Sequence, residues 1–409
     1  MMNRHAVHAF GDDALGRHDA VALTELVRNR TVHPDELATA ALTRLDRVDS
    51  VLHAVARPLY ESPRHATDPR ARLYGVPTFI KDNTDLAGLP TTHGSEAFVA
   101  SPARNDGAYA RQLHSTGLSL LGKSRMPEFG LNASTEFAAG PPTRNPWHTG
   151  FSSGASSGGA AALVAAGVVP IAHGNDGGGS IRCPAASAGL VGLKPSRGRH
   201  VNGEQAKTLP INIISEGVLT RSVRDTAAYV AAAEDYWRNP KLKPVGLVEG
   251  TSSRRLHIGL QLDTIVGVGV DAQNRAAVER TAALLEGAGH TITPAPLPFG
   301  AQFAEDFVHY FALLADLSLT TAKVHLDWSF DPRLADGFNL GLRRHHRARW
   351  AKTPATIVRL RQAARAYARF IADFDAVISP VTAHTTPPIG HLSPHVPFDR
   401  LLERLLDYV

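Results

Sequence analysis

Through the first 230 residues, short apolar stretches run into polar or glycine-rich turns and alternate with helical patterns. Residues 75–80 read as a buried strand that delivers Lys81 at its end, with Gly88 and Pro90 marking the turn beyond. Residues 118–121 read as a second strand. Residues 168–173 read as a third, opening into Gly174, Asn175, Asp176, Gly177, Gly178, Gly179 and Ser180. Between them, Pro34 opens a helix on which Leu37, Ala41, Leu45 and Val48 recur at helical spacing, and residues 158–166 form another. Strands and helices in alternation predict a layered α/β fold.

Beyond about residue 230 the pattern thins. Strands are expected at 257–262 and 375–380, with helices between. Phe303, Phe307, Phe311 and Leu314 follow helical spacing, and core packing is the favoured reading of that stripe. Length alone, at about 150 residues per domain, would allow two or three domains, but large α/β sheets commonly run past that. One compact domain over 1–409 is expected.

With 43% hydrophobic and 20% charged residues, the 409-residue chain has the composition of a globular protein with a large core. Cys183 is the sole cysteine, so no intrachain disulfide can form, and a cytoplasmic location is expected. Residues 1–10 lack the apolar stretch of a secretory signal, and the apolar run 160–172 is broken by Gly167 and Pro170, so no membrane partner is expected. The net charge of +5 is spread along the chain, which argues against a nucleic-acid partner. The run Arg343, Arg344, His345, His346, Arg347 and Arg349 reads as a solvated helix face. The histidines show no H-E-x-x-H, and His391 and His395, which have helical spacing, are interrupted by Pro394, so no metal site is expected there.

Three motifs compete for the chemistry. Gly117-Leu-Ser-Leu-Leu-Gly-Lys-Ser124 satisfies the G-x-x-x-x-G-K-[ST] nucleotide-loop pattern, but Leu118, Leu120 and Leu121 demand burial and Pro127 stands where the following helix should begin. Gly154-Ala-Ser-Ser-Gly158 satisfies the G-x-S-x-G nucleophile elbow with Ser156 at its centre. An elbow needs a preceding strand, and residues 145–153 are polar and turn-rich. The third constellation joins Lys81, Ser156 and Ser180.

Gly75-Val-Pro-Thr-Phe-Ile-Lys81-Asp-Asn83, Gly154-Ala-Ser-Ser-Gly-Gly159 and Gly174-Asn-Asp-Gly-Gly-Gly-Ser180-Ile-Arg182 resemble the three catalytic blocks of the amidase signature family. Supporting stretches are similar too: Ala87-Gly-Leu-Pro-Thr-Thr92, Gly122-Lys-Ser-Arg-Met-Pro-Glu-Phe-Gly130 and Gly189-Leu-Val-Gly-Leu-Lys-Pro195. The similarity is dense from about 19 to 225 and returns weakly at 375–390. It implies a mixed β-sheet sandwiched between α-helices, a catalytic core at about 70–230, and a variable substrate-pocket region at about 231–375. It also implies no cofactor, no metal and a small-molecule amide substrate. The segments 174–180 and 194–199 further resemble cyclic amide-dimer hydrolases.

On the mechanism the resemblance implies, Ser180 attacks the amide while Ser156 relays its proton to Lys81. A lysine with the ordinary pKa of about 10.4 is neutral in roughly one molecule in 2,500 at pH 7, a deficit of about 4.6 kcal/mol. Burial at a strand end is the natural remedy, because it disfavours the ammonium. Asp82 would oppose this if it faced Lys81, but alternation along the strand points it away. Backbone N–H groups of Gly177, Gly178 and Gly179 are expected to form the oxyanion hole, with Asp176 and Arg182 locking the loop. The family's bridging serine follows a cis peptide bond, here expected between Ala155 and Ser156. Ala155 stands where glycine is usual, Gly177 where a side chain is common, and Asn175 where threonine is common. Cys183 is expected to be a small buried residue.

Two other outcomes fit the resemblance: the glutamine-hydrolysing amidase subunit of a multi-subunit amidotransferase, and a silent scaffold or binding relative. The sequence stops at Val409 without the glycine-rich and apolar stretches that usually follow in the family. This predicts a shortened C-terminus, an unpaired sheet edge, and self-association, in the simplest case a homodimer. Leu401, Leu402, Leu405 and Leu406 form a helical stripe that needs a partner.

Overall fold

The computed structural model describes residues 6–408, so the reading of residues 1–10 falls partly outside the described residues. The chain is α/β with parallel and antiparallel strand pairs, and it divides into two compact units. The first comprises the described part of Met1–Glu249 with Ala322–Asp336 and Pro388–Ser393; the second comprises Gly250–Thr321, Gly337–Pro387 and the described part of Pro394–Val409.

In the first unit, Asp19 caps α1 (Ala20–Arg28) by accepting the Ala22 N–H at 3.1 Å. α2 (Pro34–Leu52) begins with proline in its first turn and a capping box between His33 and Glu36. Its Leu37, Ala41, Leu45 and Val48 are all buried, the stripe that the spacing predicts. β1 (Val55–Pro58), β2 (Pro77–Lys81) and β3 (Ser119–Ser124) form a sheet in the order β1-β3-β2, with β2 and β3 parallel and α3 (Ala108–Ser115) leading into β3. Every residue of β3 is buried, so the segment matching a nucleotide loop is a central strand.

β4 (Arg144–Asn145) and β5 (His148–Ser152) pair as a short antiparallel ribbon. This corrects the purely turn-rich reading of residues 145–153, because ladder pairing between these two short segments stabilises strands that composition does not announce. α4 (Gly158–Ala165) is apolar all round and wholly buried. β6 (Ile171–Asp176) extends beyond the expected end at His173. It pairs antiparallel with β8 (Ser215–Thr220) in unbroken register from Ile171↔Thr220 to Asp176↔Ser215, which carries Gly174, Asn175 and Asp176 into the ladder. α5 (Arg182–Ala188), β7 (Val191–Gly192), α6 (Glu204–Thr208) and α7 (Val223–Tyr236) complete the unit, with sheet order β6-β8-β7.

The two three-stranded sheets of this unit meet at a seam between β2 and β6 where no ladder runs. Side chains bridge it instead. The Thr78 hydroxyl donates to the Ile171 carbonyl at 3.0 Å, and the Lys81 N–H donates to His173 Nδ1 at 3.0 Å.

The second unit holds β9 (His257–Leu260), α8 (Ala272–Gly287), β10 (Thr291–Pro294), most of α9 (Ala301–His325), α10 (Gly337–Ala348), α11 (Thr353–Ile371), β11 (Ala376–Ile378) and α12 (Phe398–Tyr408). Its sheet is parallel, in the order β10-β9-β11. On α9, Phe303, Phe307 and Phe311 are half-buried and packed one on the next, with centroids 6.0 and 4.9 Å apart, while Leu314 is buried. The basic run on α10 is not wholly a solvated face: His346 is buried with Nδ1 2.7 Å from Asp316 Oδ2. Among the described residues no helix is long and apolar enough to cross a membrane.

Candidate active site

Lys81 closes β2 with its side chain fully buried. Its Nζ lies 2.7 Å from Ser156 Oγ and 2.7 Å from Asn175 Oδ1. No carboxylate pairs with it among the described residues. Burial removes water from the ammonium, and although Glu216 and Asp176 act in the opposite direction, the group is brought down to about 7. Roughly half of such lysines are neutral at pH 7, against the one in 2,500 of an ordinary lysine.

The neighbouring Asp82 faces elsewhere. Its carboxylate accepts from the Thr92 hydroxyl and stands 3.3 Å from Lys123 Nζ, which also donates to the Pro90 carbonyl at 2.9 Å. The alternation of side chains along an extended chain therefore separates two buried lysines by partner. Lys123 has a carboxylate; Lys81 has a hydroxyl and an amide oxygen.

Ser156 follows a cis peptide bond from Ala155 and is buried. It is therefore not the exposed serine at the crest of a sheet that a nucleophile elbow requires. Gly154 has φ 75°, and a Cβ there would come within 2.6 Å of Pro184 Cα, so only glycine fits this approach of the serine loop to α5.

Ser180 sits in the turn after β6, half-buried, with a hydroxyl that has no protein partner among the described residues. The two serine-bearing blocks are joined through the main chain, where the Ser157 N–H donates to the Ser180 carbonyl at 3.3 Å. Asp176 organises the turn. It accepts the N–H groups of Gly179 at 2.8 Å, Ile181 at 3.2 Å and Arg182 at 3.3 Å, and takes the Arg182 guanidinium on both oxygens at 2.9 Å. Burial alone would push its carboxyl up, but Arg182 and the backbone donors outweigh this and hold it below the usual carboxylate range.

One expectation is corrected by this geometry. The Gly179 N–H is committed to Asp176, so it is not a free donor for a developing oxyanion. Gly177, Gly178 and Ser180 keep N–H groups with no protein acceptor among the described residues. Cys183 is buried, and its thiol is pushed up to about 12, chiefly by burial.

Three participants escaped the sequence reading. Asn175 registered only as a departure from threonine, yet its side chain holds Lys81. Behind Lys81, His173 accepts the Lys81 N–H on Nδ1, and its Nε2 lies 3.0 Å from Glu216 Oε2. The signal available was a histidine directly after the apolar Ile171 and Ala172 and an acid just ahead of the apolar Val218 and Leu219.

The family model described as Amidase matches residues 36–409. "Putative amidase AmiC" of Mycobacterium leprae is 43% identical over 406 residues, covering 98% of this chain and 86% of that protein. The 6-aminohexanoate-cyclic-dimer hydrolase of Paenarthrobacter ureafaciens is 34% identical over 318 residues, covering 74% of this chain and 63% of its own length. A solved structure of 6-aminohexanoate cyclic dimer hydrolase superposes with a TM-score of 0.82 at 27% identity, covering 97% of this chain and 87% of that one. A bacterial aryl acylamidase of the amidase signature family gives a TM-score of 0.76 at 25% identity, over 91% of this chain and 81% of that one. The chain belongs to the amidase signature family. It is an amide hydrolase.

Proposed function

We propose that this protein hydrolyses a small carboxylic amide through an acyl-enzyme on Ser180, with Ser156 as relay and Lys81 as base. The observation that carries the reading is the 2.7 Å approach of Lys81 Nζ to Ser156 Oγ, at a lysine that is fully buried and, among the described residues, paired with no carboxylate. A neutral Nζ donates one hydrogen to Asn175 Oδ1 and accepts the Ser156 proton on its lone pair. Ser156 Oγ in turn accepts the proton of Ser180 as Ser180 Oγ bonds to the amide carbon. The resulting oxyanion is held by N–H groups of Gly177, Gly178 and Ser180. The proton then returns by the same relay to the leaving nitrogen, the C–N bond breaks, and water repeats the attack to release the acid. No cofactor or metal takes part in these steps.

The substrate is a small molecule, linear or cyclic, and the compartment we assign is the cytoplasm. Likeness to proteins named as cyclic-dimer hydrolases supports including cyclic amides among the candidates.

Intact-mass measurement after treatment with a serine-directed phosphonate, followed by peptide mapping, tests the assignment. The expected adduct is on Ser180. An adduct on Ser156, with Ser180→Ala retaining full labelling, would overturn the assignment. Release of ammonia or amine from a panel of aliphatic, aromatic and cyclic amides then identifies the substrate class.

A further inference from the structure

The His173–Glu216 pair lies directly behind Lys81 and takes no part in the relay. His173 is fully buried and Glu216 nearly so. Because His173 Nδ1 accepts the Lys81 N–H at 3.0 Å, that nitrogen carries no proton, and the ring proton must be on Nε2, donated to Glu216 Oε2 at 3.0 Å. Burial favours the neutral ring as well. The Tyr109 ring lies against the imidazole with centroids 4.6 Å apart, and its hydroxyl bonds to that of Tyr229. Glu216 therefore sits in the core with no cation bonded to it among the described residues, an arrangement that is costly unless a positive charge comes within its reach.

The seam gives this pair a second consequence. β2 and β6 share no ladder, so the position of Lys81 relative to Ser156 and Asn175 depends on side-chain bridges, and His173 is the bridge at Lys81 itself.

We propose that His173 and Glu216 are positioning residues for Lys81: the imidazole fixes the end of β2 against β6, and the carboxylate supplies the countercharge for the proton that Lys81 takes up as Ser180 is acylated. The inference rests on the serine–lysine reading above. The charges acting on Lys81 are Glu216 on β8 and Asp176 on β6. The other charged pair nearby, Asp82 and Lys123, is closed on itself. Tyr109 on α3 and Tyr229 on α7 are held neutral by burial, as is His200, whose Nδ1 meets the Glu216 carbonyl.

The test is the rate of phosphonate labelling of Ser180 from pH 5.5 to 9.5 in the wild type, Glu216→Gln, His173→Asn and His173→Leu. Glu216→Gln keeps the shape and removes the charge. Its acid limb should move down by about one pH unit and its alkaline plateau should fall roughly tenfold, because the ammonium loses its countercharge. His173→Leu removes the acceptor of the Lys81 N–H and should lower the plateau about 100-fold. His173→Asn places an amide oxygen where Nδ1 was and should recover most of that loss.

A wild-type limb and plateau in Glu216→Gln would refute the countercharge, and His173→Asn as impaired as His173→Leu would refute the bridge. Where His173→Leu does not fold, the isosteric Glu216→Gln decides. Absence of labelling at Ser180 in the wild type is a different result, and it strikes the serine–lysine reading itself.

Discussion

Lys123 Nζ stands 3.3 Å from Asp82 Oδ1 with both side chains buried, and Asp82 directly follows Lys81, which has no carboxylate partner among the described residues. Burial pulls the Lys123 ammonium down and pushes the Asp82 carboxyl up, and each group opposes the other's shift. Breaking the pair from one side leaves a buried charge uncompensated. Asp82→Asn should therefore lose about 3–5 kcal/mol of unfolding free energy in urea. The double variant Asp82→Asn with Lys123→Met should recover a large part. A loss under 1 kcal/mol in the single variant would show that the pair is solvated.

Lys81 makes stability depend on pH. Its folded value of about 7 lies below the ordinary 10.5, so between these values the unfolded chain binds the proton and the native chain does not. Stability then rises with pH across that window, relative to a chain lacking the amine, by about 3 kcal/mol between pH 7 and 9.5. Urea unfolding of the wild type and Lys81→Met at several pH values reads this directly. A difference between the two that stays constant from pH 7 to 9.5 contradicts it.

Asp176 holds the nucleophile turn through three N–H groups and Arg182. Asp176→Asn keeps the size but weakens every one of these charge-assisted bonds. The turnover number should fall about 10–100-fold with a smaller change in KM, since the loop positions the reacting atom more than it binds the ground state. A change confined to KM would assign Asp176 to substrate binding instead.

Cys183 is buried beneath the same turn with its thiol at about 12, so the native protein should resist alkylation by iodoacetamide at pH 8 and react fully in denaturant. Stoichiometric labelling of the native protein would show that α5 opens.

The approach of Lys81 to Ser156 was legible because each lies in a long local block; α2 was legible because its periodicity matches its burial, and β2 and α4 because each is a mostly apolar run that is wholly buried. What the sequence hid depends on pairing. Asn175 and Asp176 belong to β6 only because β8, about forty residues later, carries the ladder that far. The meeting of His173 with Glu216 comes from the same non-local register. Gly179 was expected among the oxyanion donors because glycines leave N–H groups accessible. The direction of that N–H is set by Asp176 three residues earlier, which no composition rule specifies. β10 was missed because Thr291–Pro294 is short and half-polar, and its parallel pairing with β9 supplies what its sequence lacks.

The bond from the Ser157 N–H to the Ser180 carbonyl belongs to the main chain, so replacing a side chain by alanine does not remove it. Truncating Ser156 or Ser180 to alanine deletes a hydroxyl while the two loops stay tied to one another. A rate lost in Ser156→Ala or Ser180→Ala therefore reports on proton transfer and bond formation, with the distance between the loops left as it was.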